Sequence, residues 1–229
     1  MSMPGDEHPT LLAGWVALVG GWGADRAAVD AAGKGLLERY REPWRAYHGP
    51  AHVAAVLAVV DDLVETSPAL APATAVRLAV WFHDAVYDPR APAGANEAAS
   101  AELCAAVLGP LGAPPPLIAE AARLVRVTAT HAVAPRDAGA AVLVDADLSI
   151  LGTCRDRYRR YAAQIRQEYG WLDEAVWRRG RSAVLGAFLG RPRLFVTDAG
   201  FARFERVARS NLAWELAALA GGEPEPGGS

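Results

Sequence analysis

The spacing of apolar residues constrains the fold most, because it follows intervals of three and four along most of the chain. The first clear set is Val53, Val56, Leu57, Val60, Leu63 and Val64. This spacing places one apolar stripe along a helix. Pro50 and Ser67-Pro68 bound the stretch and fit a helix start and stop. No alternating apolar and polar run is long enough to indicate a strand, so the pattern predicts an all-α protein.

The same spacing returns after Pro72 and continues through His83 to Tyr87, where Asp88-Pro89 ends the predicted helix. Similar patterns predict helices at about 24 to 41, 95 to 109, 115 to 131, 155 to 169, 173 to 190 and 198 to 220. Glycine and proline lie mainly in the breaks between them, and neither a repeat nor an interdomain linker is evident. We therefore predict a single-domain helical bundle over 1–220, followed by a disordered tail over 221–229.

Composition and charge exclude several classes of protein. With 229 residues, 52% of them hydrophobic, the chain is long enough to bury a sizeable core. The 23 basic and 26 acidic side chains give a net charge of -3, which does not favour binding to a nucleic-acid polymer. The apolar run 51–60 meets Asp61 and Asp62, well short of the roughly 20 residues of a membrane span. We expect no transmembrane helix.

Cysteine usage and the start of the chain suggest a cytoplasmic protein. Cys104 and Cys154 are fifty residues apart, so neither a disulfide framework nor a thiolate zinc site is indicated. The first residues have no basic segment followed by an apolar stretch, unlike a secretory signal.

Histidine is scarce, yet four of the five histidines fall within 48–131. His48 and His52 are four positions apart, so they share a face if one helix includes both. His83 lies on the predicted inward stripe, where an unpaired polar side chain costs about 1 to 3 kcal/mol. It therefore needs a partner, and Asp84 follows it directly. Taken alone, His83 also fits a satisfied core histidine.

Two further carboxylates, Asp145 and Asp147, follow the apolar run 140–144. Neutral imidazoles combined with carboxylates suit a divalent ion such as manganese, iron, magnesium or zinc. We expect an octahedral site with open coordination positions.

Taken together, these residues resemble the HD-domain phosphohydrolase superfamily, and in particular its bacterial branch of predicted metal-dependent HD phosphohydrolases. The family pattern is a histidine, then a His-Asp pair, then a distant aspartate, all directed into a helical bundle. The resemblance is carried by Tyr47-His48, His52-Val53, Trp81 to Pro89, Asn96-Glu97, Ser100-Ala101, Thr128 to His131 and Leu143 to Gly152. It implies an HD-type helical bundle.

The resemblance also implies the roles of individual residues. The implied metal ligands are His52, His83, Asp84 and Asp147, with Asp145 as an adjacent orienting carboxylate and the alternative to Asp147. His131, His48 and Glu97 would lie around this shell, with His131 contacting phosphate or a second metal ion. Glu97 equally fits a residue that complements a helix dipole. Trp44 departs from the histidine expected at its position, and Gly49-Pro50 replaces a more polar pair.

The implied activity is hydrolysis of a nucleotide or another small phosphorylated metabolite. Arg45, Arg166 and Arg181 are candidates for binding the phosphate, because guanidinium matches phosphate oxygens bidentately. Two other functions stay open: a non-catalytic helical binding module braced by its metal ion, and a di-iron HD-type oxygenase.

Overall fold

The computed structural model describes residues 7–66 and 73–221, with side chains from residue 10 onward. Within these residues the protein forms ten α-helices and one 3-10 helix and has no strand, which confirms the all-α prediction. The α-helices are α1 (Glu7–Val19), α2 (Arg26–Arg39), α3 (Pro50–Thr66), α4 (Ala73–Phe82), α5 (Ala95–Leu108), α6 (Pro115–Val127), α7 (Ala138–Asp147), α8 (Arg155–Glu168), α9 (Glu174–Leu189) and α10 (Asp198–Leu219). The 3-10 helix is Leu148–Gly152. In the described part no helix has both the length and the apolar character of a bilayer span. The predicted tail lies outside the described residues, apart from Gly221.

Several helix ends differ from the predictions. Helix α4 ends at Phe82 rather than near Tyr87, and α6 ends at Val127 rather than at His131. His83 and His131 therefore lie on turns, and His131 has a positive φ of 50°. The amides of His83 and His131 still bond to the carbonyls four residues earlier, but neither helix extends as far as the apolar spacing predicted. Helices α1 and α7 were not predicted.

The chain divides into two compact units, Met1–Ala146 and Asp147–Ser229. In the first unit, α4 packs against α3, α5 and α6. Its residues from Ala75 to Phe82 are buried, except for Arg77, as expected for a helix that is apolar on nearly all sides. The rings of Trp15 and Trp81 pack edge to face, with their centroids 5.3 Å apart. The Trp15 Nε1 donates to the Val29 carbonyl at 2.9 Å. These contacts fix the end of α4 from which His83 follows.

In the second unit, α10 packs against α8, α9 and the 3-10 helix. The Asn211 amide donates to the carbonyls of Leu151 and Thr153, both at 2.8 Å. Gly152 lies against the backbone of Phe204, and a Cβ at this glycine would come within 2.9 Å of the Phe204 Cα. The close approach requires glycine and holds the 3-10 helix against α10.

A buried ion pair joins α9 to α10 in this second unit. Arg181 binds Glu215 through two hydrogen bonds of 2.8 and 3.0 Å, and both side chains are 8% exposed. The Tyr158 hydroxyl donates to the same carboxylate at 2.5 Å. The ion pair is therefore buried, and α8 supplies a further hydrogen bond to its carboxylate.

Replacing Glu215 by glutamine should destabilise the protein by about 3 to 5 kcal/mol, because the buried Arg181 charge would lose its carboxylate partner. Thermal denaturation followed by circular dichroism measures this loss. Glu174→Gln is the matched control, since Glu174 binds Arg178 at 2.7 Å on the exposed surface of α9 and should leave the melting temperature unchanged. Equal melting temperatures for the two variants would contradict the prediction.

Candidate metal centre

Helices α3 and α4 bring two histidines and an aspartate together in the first unit. His52 is the third residue of α3, while His83 and Asp84 directly follow α4. The His83 amide still bonds to the Ala79 carbonyl at 2.8 Å, so the backbone at His83 continues the helical hydrogen bonding. His52 and His83 are buried at 5% and 1% exposure, and the Asp84 side chain is 18% exposed.

The three side chains converge through one atom each. The Nε2 atoms of His52 and His83 lie 2.9 Å apart. The Oδ2 atom of Asp84 lies 3.0 Å from His83 Nε2 and 3.4 Å from His52 Nε2. Carboxylate oxygens and unprotonated imidazole nitrogens are all acceptors, so they repel at these distances unless a proton or a cation lies among them.

A backbone hydrogen bond sets the tautomer of His83. Its Nδ1 lies 2.9 Å from the Val80 carbonyl oxygen, one turn back along α4. A carbonyl oxygen only accepts, so Nδ1 carries the proton and Nε2 of the neutral ring presents its lone pair to the cluster. This is the orientation that a metal-binding imidazole requires.

The surroundings of Asp84 favour its ionised form. In the metal-free protein, where a proton rather than a cation lies among the ligand atoms, burial raises the pKa of Asp84, but the nearby His83 and His48 and the hydrogen bonds from His52 and His83 lower it more. The resulting pKa lies well below the usual 3.8, so the side chain is a carboxylate at neutral pH. A carboxyl group must be in this form to bind a divalent cation.

These three residues fit one metal ion. Their ligand atoms all lie within 4.8 Å of one another. Two neutral imidazoles and one carboxylate are donors for zinc, iron or manganese, and three protein ligands leave coordination positions open. The cluster could therefore hold an ion, as the sequence predicted for His52, His83 and Asp84.

The structure brings His48 close to the cluster, although not by the predicted route. Helix α3 begins at Pro50, so His48 lies on the preceding bend rather than on the same helix as His52. Its ring centroid is 5.7 Å from that of His52 and 4.5 Å from that of Tyr87. The Tyr47 ring packs against His52 at 4.8 Å. His48 is partly exposed, which leaves it accessible from outside.

The other predicted site residues of the first unit occupy different positions. His131 lies on the turn after α6, and Glu97 lies in the first turn of α5; both are partly exposed. Asp145 is fully buried on α7. Among the described residues, none of these three belongs to the three-residue ligand cluster. Their proposed roles stay predictions.

Asp145 and Asp147 leave α7 in different directions. At 3.6 residues per turn, two positions correspond to about 200° around the helix axis. Asp145 is wholly buried in the first unit, while Asp147 is partly exposed and is the first residue of the second unit.

Arg45, a predicted phosphate ligand, is bound to protein groups. Its side chain has no exposed surface, and its Nε donates to Glu42 at 2.9 Å. Its Nη1 donates to the carbonyls of His48 and Asp84 at 3.1 and 2.7 Å. Nη2 lies 3.5 Å from the Ala85 carbonyl.

The two other predicted phosphate-binding arginines, Arg166 and Arg181, belong to the second unit. Arg166 donates to the carbonyls of Tyr169 and Leu172 after α8, and Arg181 forms the ion pair with Glu215. A role in binding phosphate stays a prediction for all three arginines.

Sequence reasoning missed several groups that shape this cluster. The Val80 carbonyl orients His83, and the Trp44 indole donates to the Tyr87 carbonyl at 3.2 Å. A main-chain carbonyl leaves no signal in the residue types. The sequence shows only that Val80 precedes His83 by three residues, a spacing that places its carbonyl about one helical turn from the His83 ring.

Comparisons of the chain with protein families, curated proteins and solved structures find no match. The interpretation of this centre therefore rests on its own geometry.

Manganese or zinc should bind the purified protein and raise its melting temperature, because an ion that binds only the folded state adds about 2.7 kcal/mol of stability at 100 times its Kd. Isothermal titration calorimetry gives the affinity. His52→Ala, His83→Ala and Asp84→Asn should each abolish both effects. Asp61→Asn, on an exposed part of α3, is the control and should bind as the original protein does. Unchanged affinity in the three ligand variants would refute the site.

Proposed function

We propose that this protein is a metal-dependent phosphohydrolase of the HD type, which releases phosphate from a nucleotide or another small phosphorylated metabolite. The observation that carries the proposal is the convergence of His52, His83 and Asp84 on one point. These residues occur in the order of the HD pattern, a histidine followed by a His-Asp pair. The partly exposed Asp84 gives this point an opening to solvent.

Each residue of the cluster has a chemical task in this reaction. A divalent cation held there would lower the pKa of a water molecule towards about 7 and polarise the phosphoryl group. His83 and His52 contribute neutral nitrogen donors, and the Val80 carbonyl keeps the His83 ring in the required tautomer. The Asp84 carboxylate reduces the net charge of the bound cation.

His48 is the residue best placed to move a proton. Its ring lies beside His52, is partly exposed and is held against Tyr87. Histidine is the side chain that most often transfers protons in enzymes, and this suits a residue placed beside a phosphate ester. Glu97 and His131 keep their predicted supporting roles.

The fourth ligand in this proposal is Asp147, with Asp145 as the adjacent orienting carboxylate and the alternative. Asp145 is fully buried on α7, and Asp147, the last residue of the same helix, is partly exposed. Among the described residues neither belongs to the three-residue cluster. Comparison of their asparagine variants decides between them.

An iron oxygenase is another candidate function, with one iron rather than the two of the di-iron alternative, because the described residues form one ligand cluster. Two histidines and one carboxylate with open positions are the donor set of many non-haem iron oxygenases. Iron content and oxygen uptake distinguish this function from hydrolysis. In the remaining alternative, a metal-braced binding module, metal would raise the melting temperature without any turnover.

A panel of phosphorylated metabolites, assayed for phosphate release with manganese, magnesium, iron or zinc, tests the proposed activity. We expect metal-dependent release from at least one compound, and no release above background from His83→Ala, because this variant lacks a metal ligand. Asp61→Asn should retain the activity. Metal binding without release from any compound would contradict the hydrolase and favour the metal-braced module.

Comparing Asp145→Asn with Asp147→Asn decides the fourth ligand. Asp147→Asn removes the proposed ligand and should weaken metal binding more than Asp145→Asn does. The milder Asp145→Asn should cost about 10- to 100-fold, the effect typical of groups that orient metal ligands. Calorimetric titration of both variants measures the difference, and the reverse order would assign the ligand to Asp145.

A further inference from the structure

The segment from His83 to Asp88 is irregular, yet side chains from two other segments hold its main chain. From one side, Arg45 donates to the carbonyls of Asp84 and Ala85, and Trp44 donates to that of Tyr87. From the other side, the buried Ser100 hydroxyl bonds to both backbone groups of Val86 at 3.0 and 3.2 Å. Arg45 thus bonds to the end of the segment that carries the metal ligands, and Trp44 bonds to its other end.

The Arg45 side chain is itself fixed in place. Its guanidinium carbon lies 5.3 Å from the Tyr40 ring centroid and 5.2 Å from that of Tyr87. Glu42 accepts from its Nε at 2.9 Å. Because the guanidinium is planar and always charged, these contacts set the direction of its remaining donors.

One nitrogen of this guanidinium links the two segments that carry the site. Arg45 Nη1 donates to the carbonyls of both His48 and Asp84, which are 36 residues apart in the chain. The bond to Asp84, at 2.7 Å, is the shortest that Arg45 makes, whereas the 3.5 Å contact with Ala85 is weak. Arg45 therefore fixes the main chain at Asp84 relative to the bend that precedes His52.

We infer that Trp44 and Arg45 form a clamp that positions the His83-Asp84 turn for metal binding. The role is one of positioning, since neither side chain belongs to the ligand cluster. The inference rests on the proposed metal site and is independent of the reaction that the site catalyses. It gives Arg45 a different task from binding phosphate.

The physical basis is preorganisation of the ligands. Asp84 lies outside the helix, so without the clamp its carboxylate would sample several positions and lose conformational freedom on binding an ion. Groups that orient metal ligands typically contribute about 10- to 100-fold to metal affinity. The charge of Arg45 has the opposite effect, because a cation beside the site repels a metal ion. Positioning and charge thus predict opposite results when Arg45 becomes neutral.

The test measures the affinity for manganese by calorimetry without substrate, at a temperature at which every variant is folded. Arg45→Lys keeps the charge but loses the planar set of donors, and Arg45→Met also removes the charge. We expect both to bind about 10- to 100-fold more weakly. Trp44→Phe removes only the indole N–H and should weaken binding by about 2- to 10-fold. Arg123→Lys, in an exposed ion pair with Glu120 and Asp137, is the control and should bind as the original protein does.

The melting temperature of the metal-free variants separates positioning from a purely structural role. If Arg45 only stabilises the fold, Arg45→Lys melts at a lower temperature but binds manganese with unchanged affinity, and the inference is overturned. Tighter binding by Arg45→Met also overturns it, because charge would then dominate. Weaker binding by the clamp variants supports the inference even if the protein hydrolyses no phosphate ester, an outcome that contradicts only the proposed function.

Discussion

The buried site of the first unit depends on one constraint, because three acceptor atoms held this close together need a proton or a cation among them. The two Nε2 atoms and the Asp84 oxygen lie within 3.4 Å of one another in a largely apolar interior. Burial of such groups is costly unless a proton or a cation compensates for it. Helix α4, buried on nearly all sides, provides the rigid base from which His83 enters the cluster. The cluster is therefore built into the core rather than placed on its surface.

The turn after α4 shows how a helical protein supports an irregular functional segment. Leaving the helix at Phe82 frees main-chain groups that must find other partners. Trp44, Arg45 and Ser100 supply them. Asn96 adds two further bonds at Asp88, of 3.1 and 2.9 Å. The side chains that satisfy the backbone are thus the ones that hold the ligands in place.

The success of the fold prediction depended on how each helix is buried. Helices with one apolar stripe, such as α3, show the spacing of three and four and could be recognised. Helix α7 is buried from Gly139 to Ala146, and its apolar run 140–144 has no polar residue in it, so no helical period can be recognised. Helix α1 combines Pro9 and Gly14 with a mostly apolar sequence, which obscured it in the same way. The end of α4 could not be predicted because residues some forty positions earlier bind the turn that follows it.

The sequence by itself determined the helical class of the protein and the residue types of its candidate site, since local spacing and side-chain chemistry are written in the order of residues. Only the tertiary structure decided that His52 and His83, 31 residues apart, face each other through their Nε2 atoms. It also decided that the donors of Arg45 bind carbonyl groups of the protein. A guanidinium suits phosphate and carbonyl oxygens alike, and the choice depends on which atoms helix packing brings within its reach.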